Sequence, residues 1–217
     1  MKLRRVAVLT VSGVLLLVVS GGLAVAQVTG AIAELKDTKG NDVGTAQFTE
    51  EPGGVGINVQ AKGLDPGEHG IHIHEKGDCS SSDFKSAGEH FNPGNTKHGL
   101  ENPEGPHAGD LPDMTVNEDG TAAYQATTDR VTLSEGKTSL FDSDGSALVI
   151  HAKADDQKTD PSGDSGDRVA CGEIQKTGAS GQTLPSSGGI NVLPLAALLG
   201  SAGLSIGILL WRRAFHS

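Results

Sequence analysis

Seven short stretches of this 217-residue chain alternate apolar residues with polar or small ones, and this pattern constrains the fold most strongly. Successive side chains of a strand point to opposite faces, so the alternation predicts strands that bury one face. Turn-forming clusters, such as NEDG at 117–120 and DSDG at 142–145, separate the stretches. The stretches are 28–35, 43–49, 55–61, 115–117, 121–127, 146–152 and 168–174.

Residues 28–176 contain no 11-residue window with a helical period, so we predict one all-β domain there. Many short strands with regular turns are typical of a sandwich or a Greek-key barrel. Two polar segments rich in Gly, Pro and Asp, 75–114 and 153–167, do not fit as strands. Loops of this length in a compact domain are usually functional or tied down by other groups.

The N-terminus predicts export. Residues 1–26 begin with basic residues, continue with an apolar run and end on small residues at Ala24 and Ala26. This is the arrangement of a secretory signal peptide. In an exported chain the only two cysteines, Cys79 and Cys171, are expected to form one disulfide.

The C-terminus predicts an anchor. A Gly/Ser-rich linker over 177–191 contains the motif LPSSG, and residues 192–211 follow without a charge. As a helix, such a stretch spans about 30 Å, the thickness of a bilayer core. The basic residues of the tail 212–217 favour a cytoplasmic C-terminus. LPSSG is similar to the cell-wall sorting signals of Gram-positive bacteria, with Ser187 at the usual threonine position. The alternatives are a plain single-pass anchor, a GPI signal and a buried core helix.

The charge of the domain excludes one class of partner. Residues 28–176 hold all 27 acidic residues but only 12 of the 17 basic ones, which gives a net charge of −15. Nucleic-acid binding needs basic patches, so we expect no nucleic-acid partner. An anionic substrate would have to approach against this charge.

The histidines indicate a metal site. In GIHIHE, His72 and His74 are two residues apart and therefore share one face of a strand, while Ile71 and Ile73 point into the core. Four more histidines and one carboxylate lie in or near the long polar segments: His90, His98, His107, His151 and Asp110. Imidazole suits copper and zinc, and a carboxylate ligand is compatible with zinc.

These motifs together resemble the copper/zinc superoxide dismutase family, and in particular its bacterial extracytoplasmic branch. GIHIHEKGDCS (70–80) and GDSGDRVACGEI (163–174) match the two most diagnostic stretches of the family. The segments between them match as well: SAGEHFNP (86–93), KHG (97–99), PHAGDLPDM (106–114) and IHAKADD (150–156). The resemblance covers residues 28–176 and implies an eight-stranded Greek-key β-barrel with an immunoglobulin-like sandwich topology and two long functional loops.

The resemblance also implies roles for individual residues. Copper would be bound by His72, His74, His90 and His151. Zinc would be bound by His90, His98, His107 and Asp110, so that His90 bridges the two metals. Asp155 would hydrogen-bond one ligand of each metal, and Arg168 would bind the superoxide anion. His69 resembles a histidine that bonds the backbone and has a structural role only.

The implied reaction converts superoxide to dioxygen and hydrogen peroxide by Cu(II)/Cu(I) cycling, with His90 as proton carrier, and would protect the cell surface. The Asp-rich loop and a single candidate lysine, Lys158, predict weak electrostatic steering. Two alternatives remain: a copper carrier or storage domain without turnover, and a surface protein in which metals only stiffen the loops. The oligomeric state is open, a homodimer included.

Overall fold

The computed structural model describes residues 30–177, which correspond to the predicted domain. The predicted signal peptide (1–26), the linker beyond residue 177, the apolar segment 192–211 and the tail 212–217 lie outside the described residues. Among residues 30–177, no helix is long and apolar enough to cross a membrane.

Ten strands and one short 3-10 helix, Lys85–Ala87, form the described part of the chain. The strands are β1 (Gly30–Asp37), β2 (Asp42–Glu51), β3 (Gly54–Ala61), β4 (Gly67–His69), β5 (Ile71–His74), β6 (Met114–Val116), β7 (Ala122–Thr128), β8 (Ala147–His151), β9 (Arg168–Glu173) and β10 (Gln175–Lys176). Each of the seven predicted stretches overlaps a strand, and its ends differ from those of the strand by at most two residues.

Eight of the strands form one antiparallel sheet in the order β5-β8-β9-β1-β2-β3-β7, with β10 paired to β1. The chain crosses from the β3 side of this sheet to β5, and again from β7 to β8, which are Greek-key connections. The all-β prediction is therefore confirmed. Within the described residues this sheet is curled and open, with β5 and β7 as its edge strands. The small sheet of β4 and β6 lies between these edges, because β4 leads into β5 and β6 contacts β7.

The core lies on the inner face of this sheet. In β3 every second residue is buried, and the register places the buried Phe48 and Ala46 of β2 opposite Ile57 and Val59. Burying a side chain the size of Phe48 or Ile57 contributes about 1.5–3 kcal/mol. The same sheet continues into β9, β8 and β5, the strands that carry His72, His74, His151 and Arg168.

The two polar segments are loops that contact each other. Residues 75–113 join β5 to β6, and residues 152–167 join β8 to β9. The backbone N–H of Glu101 in the first loop donates to the carbonyl of Gln157 in the second at 3.1 Å. Gly99 has a positive φ of 107°, and a Cβ there would overlap the same carbonyl. Only glycine allows the backbones to approach this closely.

Candidate metal centre

Strand β5 places two imidazoles side by side. His72 and His74 are fully buried, and the intervening Ile73 extends into the core. The first long loop returns alongside this strand, because the N–H of Phe91 donates to the carbonyl of Ile73 at 2.8 Å. An isolated bridge between His74 and His90 follows from this pairing. The neighbouring strand β8 ends at His151, which pairs with Arg168 on β9.

Four buried histidines consequently meet in one place, here called the four-histidine group. Each offers one ring nitrogen, and these four nitrogens lie within 4.8 Å of one another. Such spacing allows one metal ion to bind all four imidazoles. The members of the group are His72, His74, His90 and His151.

The hydrogen bonds of these rings leave one particular nitrogen free on each. Nε2 of His72 donates to Asp155 at 2.7 Å, Nδ1 of His74 donates to the carbonyl of Gly88 at 2.9 Å, and Nδ1 of His151 lies 3.2 Å from the carbonyl of Gly166. The other nitrogen of each ring is buried without a hydrogen-bond partner in the described residues, as is Nε2 of His90. Unpartnered buried nitrogens are costly unless a ligand satisfies them, so the donor set fits a metal ion.

A second cluster, the three-histidine–aspartate group, shares His90 with the first. Oδ1 of Asp110 lies 2.9 Å from Nδ1 of His90, 3.0 Å from Nδ1 of His98 and 3.4 Å from Nδ1 of His107. Oδ2 of Asp110 accepts hydrogen bonds from the backbone N–H groups of Gly99 and His107. Three imidazoles and one carboxylate are a ligand set that suits zinc.

Asp155 joins the two groups. Its Oδ2 accepts the hydrogen bond from His72 at 2.7 Å, and its Oδ1 lies 3.0 Å from Nε2 of His98. Oδ1 also accepts the backbone N–H of Gln157 at 2.6 Å. A carboxylate in this position fixes the ring orientation of one histidine in each group.

The protonation of these residues suits metal binding, with His98 as the exception. Burial lowers the pKa of His72 to about 3 and that of His151 to about 4, so both rings are neutral at pH 7. Burial opposes ionisation of Asp110, but its hydrogen bonds to the histidines outweigh this and hold its pKa well below the ordinary range. Burial also opposes protonation of His98, yet Asp110 and Asp155 raise its pKa to about 9. Metal binding at His98 would therefore release a proton.

Comparison with known proteins identifies the family. The family model described as copper/zinc superoxide dismutase (SODC) matches residues 43–174. The chain belongs to the copper/zinc superoxide dismutase family. Its activity is accordingly superoxide dismutation, an oxidoreductase reaction, and its cofactors are copper and zinc.

Individual relatives agree with this assignment. Cu-Zn superoxide dismutase 2 of Aquifex aeolicus is 50% identical over 147 residues, which cover 67% of this chain and 86% of that protein. Cu-Zn superoxide dismutase of Caulobacter vibrioides is 46% identical over 148 residues, covering 67% and 85%. Among solved structures, a double mutant of a SOD-like protein from Bacillus subtilis matches with a TM-score of 0.65 and 44% identity, covering 66% of this chain and 96% of that one.

Arg168 of this dismutase lies at the start of β9, next to the four-histidine group. The half-buried guanidinium donates from Nη1 to the carbonyl of Phe84 at 2.8 Å. It forms no ion pair in residues 30–177, not even with its sequence neighbour Asp167. In residues 30–177 one positive side chain thus remains without an ion-pair partner beside the histidines.

The predicted disulfide between Cys79 and Cys171 is confirmed. It links the first long loop to β9 across 92 residues of sequence, and a crosslink of that length is worth about 4–5 kcal/mol in the chain-entropy model. The same loop carries Phe84, the partner of Arg168. Disulfide and hydrogen bond together hold the loop against the strand that carries the arginine.

His69 and Lys158 lie outside both metal-binding groups. Both ring nitrogens of His69 face backbone carbonyls: its Nδ1 lies 2.6 Å from the carbonyl of His151, and its Nε2 lies 2.8 Å from the carbonyl of Asp65. Lys158, the candidate lysine for steering, forms an ion pair with Glu101 at 2.7 Å. Its charge is offset by a residue from the other loop.

Sequence reasoning missed the contacts that hold segment 110–113. Four groups from elsewhere in the fold donate hydrogen bonds to it. Three donate to backbone carbonyls: Arg130 Nη2 to that of Asp110 (2.6 Å), Gln157 Nε2 to that of Leu111 (3.3 Å) and Tyr124 Oη to that of Pro112 (2.9 Å). The backbone N–H of Asp155 donates to Oδ1 of Asp113 at 3.1 Å. None of these contacts has a spacing signal in the sequence. They depend on how the loops fold.

Proposed function

We propose that the dismutase activity of this chain resides in the two groups described above, with copper in the four-histidine group and zinc in the three-histidine–aspartate group. The observation that carries the assignment is the set of unpartnered buried nitrogens, one on each histidine of the first group. An all-imidazole set suits copper, and the only carboxylate ligand belongs to the second group. His90 is common to both and would bridge the two metals.

The protein's own residues have separate tasks. Bound copper supplies one-electron transfer from and to superoxide, and bound zinc supplies a fixed positive charge. Arg168 binds the superoxide anion through its guanidinium, which carries a permanent charge. Nε2 of His90 is the position that holds and delivers a proton. Asp155 keeps His72 and His98 in the orientation that directs their other nitrogens to the metals.

The alternative of a copper carrier without turnover is weaker for a structural reason. A carrier needs copper ligands, but it needs neither a shared histidine, nor a second ligand set, nor an unpaired arginine beside the first. All three features occur together in residues 30–177. Relatives that are 46–50% identical are called Cu-Zn superoxide dismutases, which does not favour the carrier either.

Metal content and superoxide decay of the purified protein test the proposal. We expect one copper and one zinc per chain and catalysed superoxide decay. Because Lys158 and Lys97 are paired with carboxylates, we expect the rate to change by no more than about threefold between low and physiological salt. One copper and one zinc without activity would favour the carrier, whereas a protein that binds neither metal would contradict both ligand assignments.

We further infer that the protein is exported and attached to the cell surface. The signal-peptide pattern of residues 1–26 and the LPSSG motif before residues 192–211 support this. The disulfide is typical of oxidising compartments, and a relative from Brugia pahangi is called an extracellular superoxide dismutase. Mass spectrometry of the mature protein should find an N-terminus near Gln27, and a C-terminus within LPSSG if a transpeptidase cleaves it. A mature chain that retains residues 1–26 would contradict export.

A further inference from the structure

We propose that Arg130 is a positioning residue for the metal centre: it fixes the backbone of Asp110, and thereby the carboxylate on which His90, His98 and His107 converge. The inference rests on the proposed zinc ligand set. It concerns a residue that belongs to neither ligand group and that lies in the connection between β7 and β8.

The environment of the guanidinium is the first observation. Arg130 is half-buried, and in residues 30–177 it has no ion pair. Its Nε is buried without a hydrogen-bond partner there. Its one side-chain hydrogen bond in the described chain joins Nη2 to the carbonyl oxygen of Asp110 at 2.6 Å. Partial burial of a charge without a counter-charge is unfavourable, so the hydrogen bond to Asp110 needs a structural or functional reason.

The position of Asp110 is the second observation. Its carboxylate is already occupied, since Oδ1 faces three histidine nitrogens and Oδ2 accepts two backbone N–H groups. The preceding peptide is held by β5, because the N–H of Ile73 donates to the carbonyl of Gly109 at 2.9 Å. Arg130 holds the peptide that follows. With the peptides on both sides fixed, the direction of the Asp110 side chain is fixed too.

The third observation is where in the fold Arg130 lies. Asp110 lies in a loop of about 40 residues, whereas Arg130 lies two residues after the end of β7. The N–H of Arg130 donates to Oγ1 of Thr128, the last residue of that strand, at 3.3 Å. The guanidinium therefore transmits the rigidity of the main sheet to a loop residue of the metal centre. Supporting contacts of this kind change metal affinity by about 10–100-fold when they are removed.

Zinc affinity of the full protein tests the inference. The metal-free protein is titrated with Zn²⁺ in competition with a chromophoric chelator, and Arg130→Met, which keeps the apolar stem but removes every donor, is compared with wild type. We expect the zinc Kd of the variant to rise about 10–100-fold. Arg130→Lys retains a donor and should lie closer to wild type than Arg130→Met does.

Tyr124→Phe is the matched control. It removes a hydrogen bond of 2.9 Å to the same segment, but at Pro112 and not at Asp110. We expect it to lower the Tm while leaving the zinc Kd within about threefold of wild type. A zinc Kd of Arg130→Met within threefold of wild type, or equal weakening by both substitutions, would show that Arg130 has only a general structural role.

Two further measurements keep the outcomes separate. If metal-free Arg130→Met is unfolded, the visible spectrum of its Co²⁺-loaded form replaces the titration: changed d–d bands support the inference, and an unchanged spectrum overturns it. Asp110→Asn examines the ligand set itself. If that substitution leaves the zinc affinity of the protein unchanged, the proposed zinc site is wrong, and the inference on Arg130 is wrong with it. If Asp110→Asn weakens zinc binding but Arg130→Met does not, only the inference on Arg130 is overturned.

Discussion

His151→Ala is expected to remove copper from the protein and to lower superoxide dismutase activity at least about 100-fold, while zinc stays bound. Removing the hydrogen-bond partner of a metal ligand already costs about 10–100-fold, so loss of a ligand should cost more. His151 belongs to the four-histidine group only, and Nε2 of its ring is buried without a partner in the described residues. Metal analysis and superoxide decay measure the two effects.

Two further histidine variants give the control. His107→Ala should reduce zinc and retain copper, because His107 belongs only to the three-histidine–aspartate group. His90→Ala should reduce both metals, because His90 belongs to both groups. Full activity of His151→Ala, or loss of a single metal in His90→Ala, would contradict the assignment of the two sites.

Gly163→Ala is expected to damage both metal sites from outside the ligand sets. Gly163 is buried in the second long loop with a φ of +61°, a conformation that costs a residue with a Cβ about 1–2 kcal/mol. Its Cβ would also overlap the carboxylate of Asp155 and lie 2.8 Å from Nε2 of His98. Asp155 must then move away from His72 and His98. We expect zinc and copper affinity to fall about 10–100-fold, measured by chelator competition.

Gly40→Ala separates the two causes. Gly40 has a comparable φ of +82°, but no heavy atom lies within 4 Å of the position its Cβ would take. Its replacement should therefore lower the Tm, because of the unfavourable backbone conformation alone, and leave metal affinity unchanged. Equal metal affinity in the two variants would show that the overlap with Asp155 is relieved without cost.

Much of the fold, and the residues that come together in the two groups, could be predicted from local patterns and from the motifs of the family. Alternation in β3 identifies its buried face, and the two-residue spacing of His72 and His74 places both rings on one face. Six histidines and one aspartate in matching motifs then indicate copper and zinc. For these residues a short stretch of sequence contains the necessary information.

The surroundings of the site could not be predicted, because they depend on contacts between loops. Nothing local links Arg130 to the carbonyl of Asp110, or Lys158 to Glu101, 57 residues earlier in the chain. The free nitrogen on each ring also depends on distant partners, such as Asp155 for His72. These features follow from the path of the two long loops, and that path follows from the packing of the whole sheet.

His72 and Asp155 are 83 residues apart in the sequence, so the metal centre assembles only after distant parts of the chain have come together. In an unfolded chain His72 and His74 are close together, but the other nitrogens of the four-histidine group arrive only when β5 meets β8 and the loops close over them. Contacts so distant in sequence form late in folding. A chain that crosses a membrane unfolded therefore leaves the cytoplasm without an assembled metal centre, and the composition of the compartment where it folds decides which ions fill it.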